Sequence, residues 1–429
     1  MGLAPNSSEA EKAMKIAVIG TGVSGLVAAR KLHAEHDLTV FEAGAYIGGH
    51  TNTVDVLDDG KILPVDTGFI VFNEKTYPNF CRLMSELGVA YQPSTMSFSV
   101  RCDATNLEYN GTSINGLFAQ RRNLFRPTFW RMAREISRFY REAPEVLERE
   151  GDTTLGQFLR DGSYSSTFVD QHLVPMSAAI WSARAEVIMR FPLRFLVQFF
   201  QNHGFLQLKN RPQWLVIQGG SRSYVDPLVE PFRDRIQLNT PVLSLRRQAG
   251  GVTLRTADGN EQWFDRVILA CHADQSLKMM EDSSALETEI LSAFPYQKNE
   301  ATLHTDESVM PHRKRAWASW NYHVLPSGSD LPVVTYWMNE LQGLKSKANY
   351  FVTLNRAQAI RPDKVLKQII YHHPVFSEDG VVAQQRHGEI DGMHGLHFCG
   401  AYWGYGFHED GVRSGLRVAE RVQDLVRIQ

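Results

Sequence analysis

Between Lys15 and Thr51 the chain runs strand, glycine turn, helix, strand, and few folds accept that order. Lys15-Ile16-Ala17-Val18-Ile19 is a short apolar run suited to a strand buried on both faces. Gly20-Thr21-Gly22-Val23-Ser24-Gly25 follows directly, and Leu26 to His36 has helix-forming composition without Gly or Pro. Leu38-Thr39-Val40-Phe41 supplies a second strand ending at Glu42. The order is that of a dinucleotide-binding βαβ unit. Gly20 is expected to make the tight turn, Gly22 to let the backbone approach a pyrophosphate, and Gly25 to let helix and strand pack closely. The helix start offers unpaired N–H groups and a positive dipole end to phosphate. Glu42, seventeen residues beyond Gly25, stands where a carboxylate accepts hydrogen bonds from a ribose diol.

The stretch after Glu42 separates the dinucleotides. Glu42-Ala43-Gly44-Ala45-Tyr46-Ile47-Gly48-Gly49-His50-Thr51 resembles the extended FAD fingerprint of the flavin-containing amine oxidase and phytoene desaturase superfamily. The resemblance implies that Val23, Ser24, Ala43, His50 and Thr51 join Gly20, Gly22, Gly25 and Glu42 around FAD. It also implies that the pair Gly48-Gly49 closes over the pyrophosphate. Where the superfamily usually has Arg or Lys after that pair, this chain has His50, an imidazole only partly charged near neutral pH. Three further segments carry the same likeness. Asp66-Thr67-Gly68-Phe69-Ile70 resembles a segment passing beside the isoalloxazine, where Gly68 would give the backbone room. Thr240-Pro241-Val242 resembles the middle segment, whose residue at Val242 contacts adenine through its backbone. Gly400 and Glu409-Asp410-Gly411-Val412 resemble the C-terminal motif, whose helix start points at the flavin's pyrimidine end and stabilises negative charge on the reduced ring. The superfamily commonly has Gly-Thr-Glu where this chain has Gly400-Ala401-Tyr402.

With 429 residues the chain is long for one core, so two domains are expected. The resemblance implies an α/β fold of amine-oxidase type. A Rossmann-like, discontinuous FAD-binding domain would take 14–93, 210–275 and 388–429, and an α+β substrate domain 94–209 and 276–387. Residues 1–13 read as a disordered tail without a secretory leader, and Asn6 stands where a myristoylation signal wants Ser or Thr. Net charge is −2, which favours no nucleic-acid partner. Four scattered cysteines without CxxC spacing imply neither disulfides nor a metal site, and the cytoplasm is the expected compartment.

Thr128 to Glu150 reads as a long amphipathic helix with Phe129, Met132, Ile136 and Phe139 on one side and arginines clustered at its start. It is either a solvated helix packed on a core or a helix lying on the inner membrane face, its aromatics dipping into lipid. Trp317, Trp320, Tyr322, Tyr336 and Trp337 are dense in large rings, as single core residues or as the wall of an apolar pocket. Trp317-Ala318-Ser319-Trp320-Asn321-Tyr322 and Tyr336-Trp337-Met338-Asn339 resemble bacterial FAD-dependent amine oxidoreductase-like proteins linked with cyclopropane fatty-acid synthases. That implies an acyl substrate. Candidate catalytic residues are Lys298, where amine oxidases hold a water near flavin N5, and Tyr405 and Phe407, whose rings would flank the flavin. The resulting expectation is an FAD-dependent oxidase or desaturase taking hydride from an apolar, lipid acyl substrate. A flavin amine oxidase and a non-catalytic flavin-binding partner are the alternatives.

Overall fold

The computed structural model describes residues 13–149, 151, 153–207, 211–326 and 331–428. The expected disordered tail therefore lies outside the described residues, apart from Ala13. The chain divides into two compact units, one of Met1–Gly49, Asp226–Leu291 and Arg386–Gln429, the other of His50–Val225 and Ser292–Gln385.

The first unit is built on a five-stranded, all-parallel sheet. Its order is Leu396–Phe398, Arg266–Leu269, Lys15–Ile19, Asp37–Phe41, Ile236–Gln237, so the first strand of the sequence is the central one. Ile16, Ala17 and Val18 are fully buried, as are Val267, Ile268 and Leu269 beside them, the pattern of strands covered on both faces. The helix Val23–Leu32 follows the first strand, and the long helix His408–Ile428 packs along it. A separate antiparallel sheet joins Val242–Gln248, Gly251–Thr256 and Glu261–Phe264, turned at Asp258-Gly259, where Gly259 has φ +84°.

The second unit is α+β, around a seven-stranded mixed sheet. Its order is Val365–Pro374, Tyr296–His304, Phe351–Leu354, Val334–Trp337, Trp320–Val324, Phe98–Cys102, Leu107–Asn110. All neighbours are antiparallel except Trp320–Val324 with Phe98–Cys102, which run parallel. The arginine-rich helix spans Pro127–Glu142, ending earlier than expected, and tightens to a 3-10 turn at Ala143–Leu147. Pro144 has no N–H to continue the helical ladder, which explains the early end.

The compact units part at other points than the domain boundaries expected from sequence. Asp66 closes the hairpin Thr53–Asp58 and Lys61–Asp66 and is hydrogen-bonded to Ser221 and Gln342, which binds 50–93 and the turn before Tyr224 into the second unit. Arg247 pairs with Asp282 and Glu287, which keeps 276–291 in the first.

Candidate functional site

Gly20 and Gly25 behave as their spacing predicts, each for a different reason. Gly20 has φ +106°, and its N–H donates to Phe41 O at 2.8 Å. A Cβ on Gly25 would stand 2.2 Å from Gly20 O, so helix and turn touch backbone to backbone there. Gly22 differs from both. It caps the helix with φ −62° and ψ 167°, a conformation open to any residue, and a Cβ built on it meets no atom within 4 Å. No side chain caps this helix end and its first turn holds no acid, so the dipole's positive end is uncompensated.

A second helix starts at the same place. A Cβ on Gly411 would come 2.6 Å from Val23 Cγ1, and one on Gly415 2.3 Å from Ser24 O. The opening turns of His408–Ile428 thus press on the opening turn of Val23–Leu32. Val412 is buried, and Ser414 Oγ accepts from Gly400 N at 3.1 Å. Gly49 lies over the turn as well, its would-be Cβ 3.2 Å from Gly22 Cα, while Gly48 N donates to Thr21 Oγ1 at 3.3 Å. Two helix starts and a glycine pair therefore surround the open face of Gly22. An anion finds N–H donors, room and no opposing side chain there. The residues present fit a pyrophosphate.

Glu42 sits half-buried at the edge of this cradle. Its Oε2 accepts from Thr21 N at 2.9 Å and from Thr21 Oγ1, and its Oε1 accepts from Gly44 N at 2.7 Å. A carboxylate has about four lone-pair positions, so a ribose hydroxyl still has an acceptor. Glu42 N donates to Gln237 O and Thr240 N to Glu42 O, while Asn239 N donates to Gly44 O. These bonds lay the segment leading to Val242 against Glu42–Gly44, with Ala43 exposed between them. Thr21, fully buried and holding Glu42 in place, was not singled out from sequence. Gly415 was not either, although its spacing of four from Gly411 is the small-residue pattern of close helix contact.

The C-terminal loop departs from expectation in its electrostatics. Asp410 is buried in the first turn of its helix and accepts from Tyr405 N at 3.0 Å and Phe407 N at 3.1 Å, with Arg413 at 2.8 Å. Burial pushes its carboxyl up to about 6. With Glu409 also buried beside it, this helix carries acid at its own positive end, so its dipole is partly offset rather than wholly available to a reduced flavin. Trp403 is buried against His387, ring centroids 4.4 Å apart, which leaves Tyr405 and Phe407 as the half-buried rings of the loop.

The remaining candidates lie in the second unit. Thr51 Oγ1 is bonded to Tyr224 OH at 2.6 Å, and His50 stacks on Tyr371 at 4.9 Å. A Cβ on Gly68 would sit 2.1 Å from His50 O, and Phe69 N donates to that same oxygen at 2.8 Å. The missing side chain at Gly68 therefore makes room for His50's backbone, a different reason from the one expected. Phe69 packs edge-on to Phe80, and Ile70 joins the apolar cluster of the sheet. Asp66 anchors this region. It is fully buried and accepts from Thr53 Oγ1 (2.6 Å), Ser221 N and Oγ (2.8 Å each) and Gln342 Nε2 (2.9 Å), while burial raises its carboxyl to about 6. Asp66→Asn must aim an NH2 group at one of these donors, with an expected loss of about 2 kcal/mol in stability. Chemical denaturation measures it, and an unchanged midpoint would show that the anchor is dispensable.

Lys298 is exposed on its strand opposite His372. The inward position is its neighbour Asn299, fully buried, whose Nδ2 meets His373 Nδ1 at 2.9 Å and whose Oδ1 accepts from Asn355 at 2.8 Å. The five large rings do not wall one cavity. Tyr336 and Trp337 are successive strand residues and so face opposite sides. Trp320 pairs edge-on with Tyr336 at 5.0 Å and Trp317 with Trp337 at 5.4 Å, one pair to each face.

The sequence model of the family described as flavin containing amine oxidoreductase matches residues 23–369. The chain belongs to that family. Membership brings FAD as the cofactor and oxidation–reduction as the class of chemistry. A Mycobacterium tuberculosis protein named "Putative flavin-containing monoamine oxidase AofH" is 26% identical over 256 residues, 58% of this chain and 54% of that protein. The match thus spans about half the length of the relative. Cyclohexylamine oxidase from Brevibacterium oxydans superposes with a TM-score of 0.68 at 16% identity, covering 97% of this chain and all of that one. A fatty acid isomerase from P. acnes that produces CLA does so with 0.65 at 13% identity, covering 97% and 99%. At such identities the likeness is one of fold. Among the described residues no helix is long and apolar enough to cross a membrane, and no group of three or more His, Cys, Asp or Glu could hold a metal.

Proposed function

We propose that the protein is an FAD-dependent oxidoreductase of the oxidase or desaturase type, acting on an apolar, acyl-type substrate. The observation that carries the redox half is the open face of Gly22, ringed by two helix starts and the glycine pair. When bound, FAD supplies a two-electron acceptor at N5. The chain's share is to bind, orient and exclude water. Gly22, Val23, Ser24 and Gly49 hold the phosphates, Glu42 orients the ribose, and Tyr405 and Phe407 offer rings to the cofactor.

The substrate half rests on the second unit. Ile70, Val71, Met96, Phe98, Trp320 and Tyr322 are partly buried apolar side chains packed on the sheet's core cluster. Asp66, the buried acid of this region, is already saturated with donors, so no spare carboxylate is offered to an ammonium. Trp320 Nε1–H is buried without an acceptor among the described residues. An indole only donates, which suits a substrate oxygen such as an ester or carboxyl group better than an amine. The motifs around Trp317–Tyr322 support the acyl reading, and a fatty acid isomerase shares the fold.

Anaerobic mixing tests this directly. Bound flavin should bleach with long-chain acyl lipids and not with simple primary or secondary amines. Trp320→Phe should raise KM about fivefold with kcat nearly unchanged, the effect of one lost hydrogen bond. The amine oxidase reading is favoured by the monoamine oxidase relative, and bleaching by amines alone would establish it. Tight FAD that no substrate of either class bleaches would leave a flavin-binding partner without turnover.

A further inference from the structure

Residues 111–134 contain five arginines and no aspartate or glutamate. The same stretch exposes Ile114 at 80%, Leu124 at 43%, Phe125 at 87% and Trp130 at 46%. These side chains are held by a fixed backbone. Ser113 caps the short helix Ile114–Leu117 by accepting from Gly116 N, and Arg121 donates to Phe118 O and Asn115 Oδ1. Trp130 Nε1 donates to Leu124 O at 2.9 Å, and its ring packs on buried Phe118 at 5.5 Å. The indole's one polar group is thus satisfied by the backbone, while much of its ring stays in water. Arg131 pairs with buried Glu135. Arg121, Arg122, Arg126 and Arg134 have no carboxylate partner among the described residues.

We propose that this face docks on an anionic phospholipid surface. Ile114, Leu124, Phe125 and Trp130 enter the boundary between headgroups and acyl chains, and the arginines meet lipid phosphates. Solvent-exposed apolar side chains held together in one short segment mark an interaction surface, and the charge selects the partner. A protein interface closing over these rings would strip water from four guanidiniums, which is costly without carboxylates opposite. A lipid interface buries the rings and leaves the guanidiniums in the hydrated phosphate layer. The docking residues are not those the sequence pattern suggested. Phe129, Met132 and Phe139, the apolar side of the helix Pro127–Glu142, are buried in the protein core, and the lipid-facing set comes from the turn before it and from Trp130. The proposal rests on neither the cofactor nor the substrate reading.

The test uses the flavin-loaded protein and co-sedimentation with phosphatidylcholine vesicles, with and without phosphatidylglycerol. Binding should require phosphatidylglycerol and weaken as salt rises. The double variant Arg122→Gln/Arg134→Gln should bind about 25-fold more weakly, fivefold for each basic group at an anionic surface. Phe125→Ser should weaken binding about tenfold through lost apolar insertion. Leu243→Ser, an exposed apolar site elsewhere, should change nothing. Every substituted side chain is exposed, so flavin content and melting temperature should stay constant. Brominated acyl chains should quench fluorescence in the parent protein and less in Trp130→Phe. Equal binding to both vesicle types, no binding to either, or equal loss in Leu243→Ser would overturn the proposal. So would self-association abolished by Phe125→Ser without any vesicle binding, which would give the face to a second copy of the chain.

Discussion

Gly22→Val is expected to give a folded protein that has lost its flavin. The position has ordinary backbone angles, and a Cβ there touches nothing within 4 Å, so stability should change by less than about 1 kcal/mol. What a branched side chain does fill is the approach of the pyrophosphate. An affinity loss of at least about 100-fold, close to 3 kcal/mol, is expected, with Gly22→Ala intermediate. Gly25→Ala should do the reverse damage. Its methyl group would meet Gly20 O at 2.2 Å, so the protein should fail to fold before any question of cofactor arises. Flavin absorbance after reconstitution, beside circular dichroism, separates the two outcomes. A Gly22→Val protein that keeps its flavin would remove the central support for the cofactor site.

Acidification should destabilise the second unit well above the range where most carboxylates titrate. His172, His203, His304 and His323 are buried, and burial holds each at about 4, against an ordinary value of 6.5. At His304 hydrogen bonding also fixes the neutral form. His304 Nδ1 accepts from Asp306 N, so its Nε2–H donates to Thr353 Oγ1. His172 shares a 2.9 Å bond with the Tyr109 hydroxyl, which itself donates to Gln171 O. A depressed folded value means that the unfolded chain binds the proton first. The stability these groups contribute is therefore complete above pH 6.5 and is lost as pH falls from 6.5 through about 4. From pH 7 to 5.5 each contributes a loss of about 1.2 kcal/mol, roughly 5 kcal/mol for the four. Asp66 acts in the opposite sense. Raised to about 6, it contributes stability that is present at low pH and lost as pH rises through 6, and it returns about 0.8 kcal/mol over the same interval. The net loss of about 4 kcal/mol should lower the Tm of this unit by roughly 7 °C. His172→Phe should flatten the slope by about 30%. A Tm constant between pH 7 and 5.5 would refute the assignment of neutral histidines.

The cofactor cradle could be read from sequence because its demands are local. Gly20 and Gly25 each meet a constraint set within a few residues or by the adjoining strand, and Glu42 lies one helix and one strand away. The substrate unit could not be read that way, because its meaning depends on register. Lys298 and Asn299 differ by one residue on one strand, and only pairing with Val365–Pro374 and Phe351–Leu354 sends the amide inward and the ammonium to water. Tyr336 and Trp337 part for the same reason. Asp410 was legible as a residue and not as a charge, since its offset of the helix dipole follows from burial. At Gly68 the glycine was found and its reason missed. The close neighbour is the His50 carbonyl, which no spacing rule names.

The contact of Gly411 and Gly415 with Val23 and Ser24 also sets an order of events in synthesis. Lys15–Ile19 occupies the centre of its sheet, but one flanking strand is Arg266–Leu269, the edge beyond it is Leu396–Phe398, and the second helix start arrives later still. At roughly 5–20 residues per second, the apolar first strand waits on the order of 20–80 s for the last of these partners to leave the ribosome. Such distant pairings also make for slow folding. Throughout that interval the nascent βαβ unit presents an unpaired hydrophobic edge, a natural client for a chaperone. The second helix start reaches the glycine turn only after residues near 415 have emerged, so this part of the candidate site is completed last.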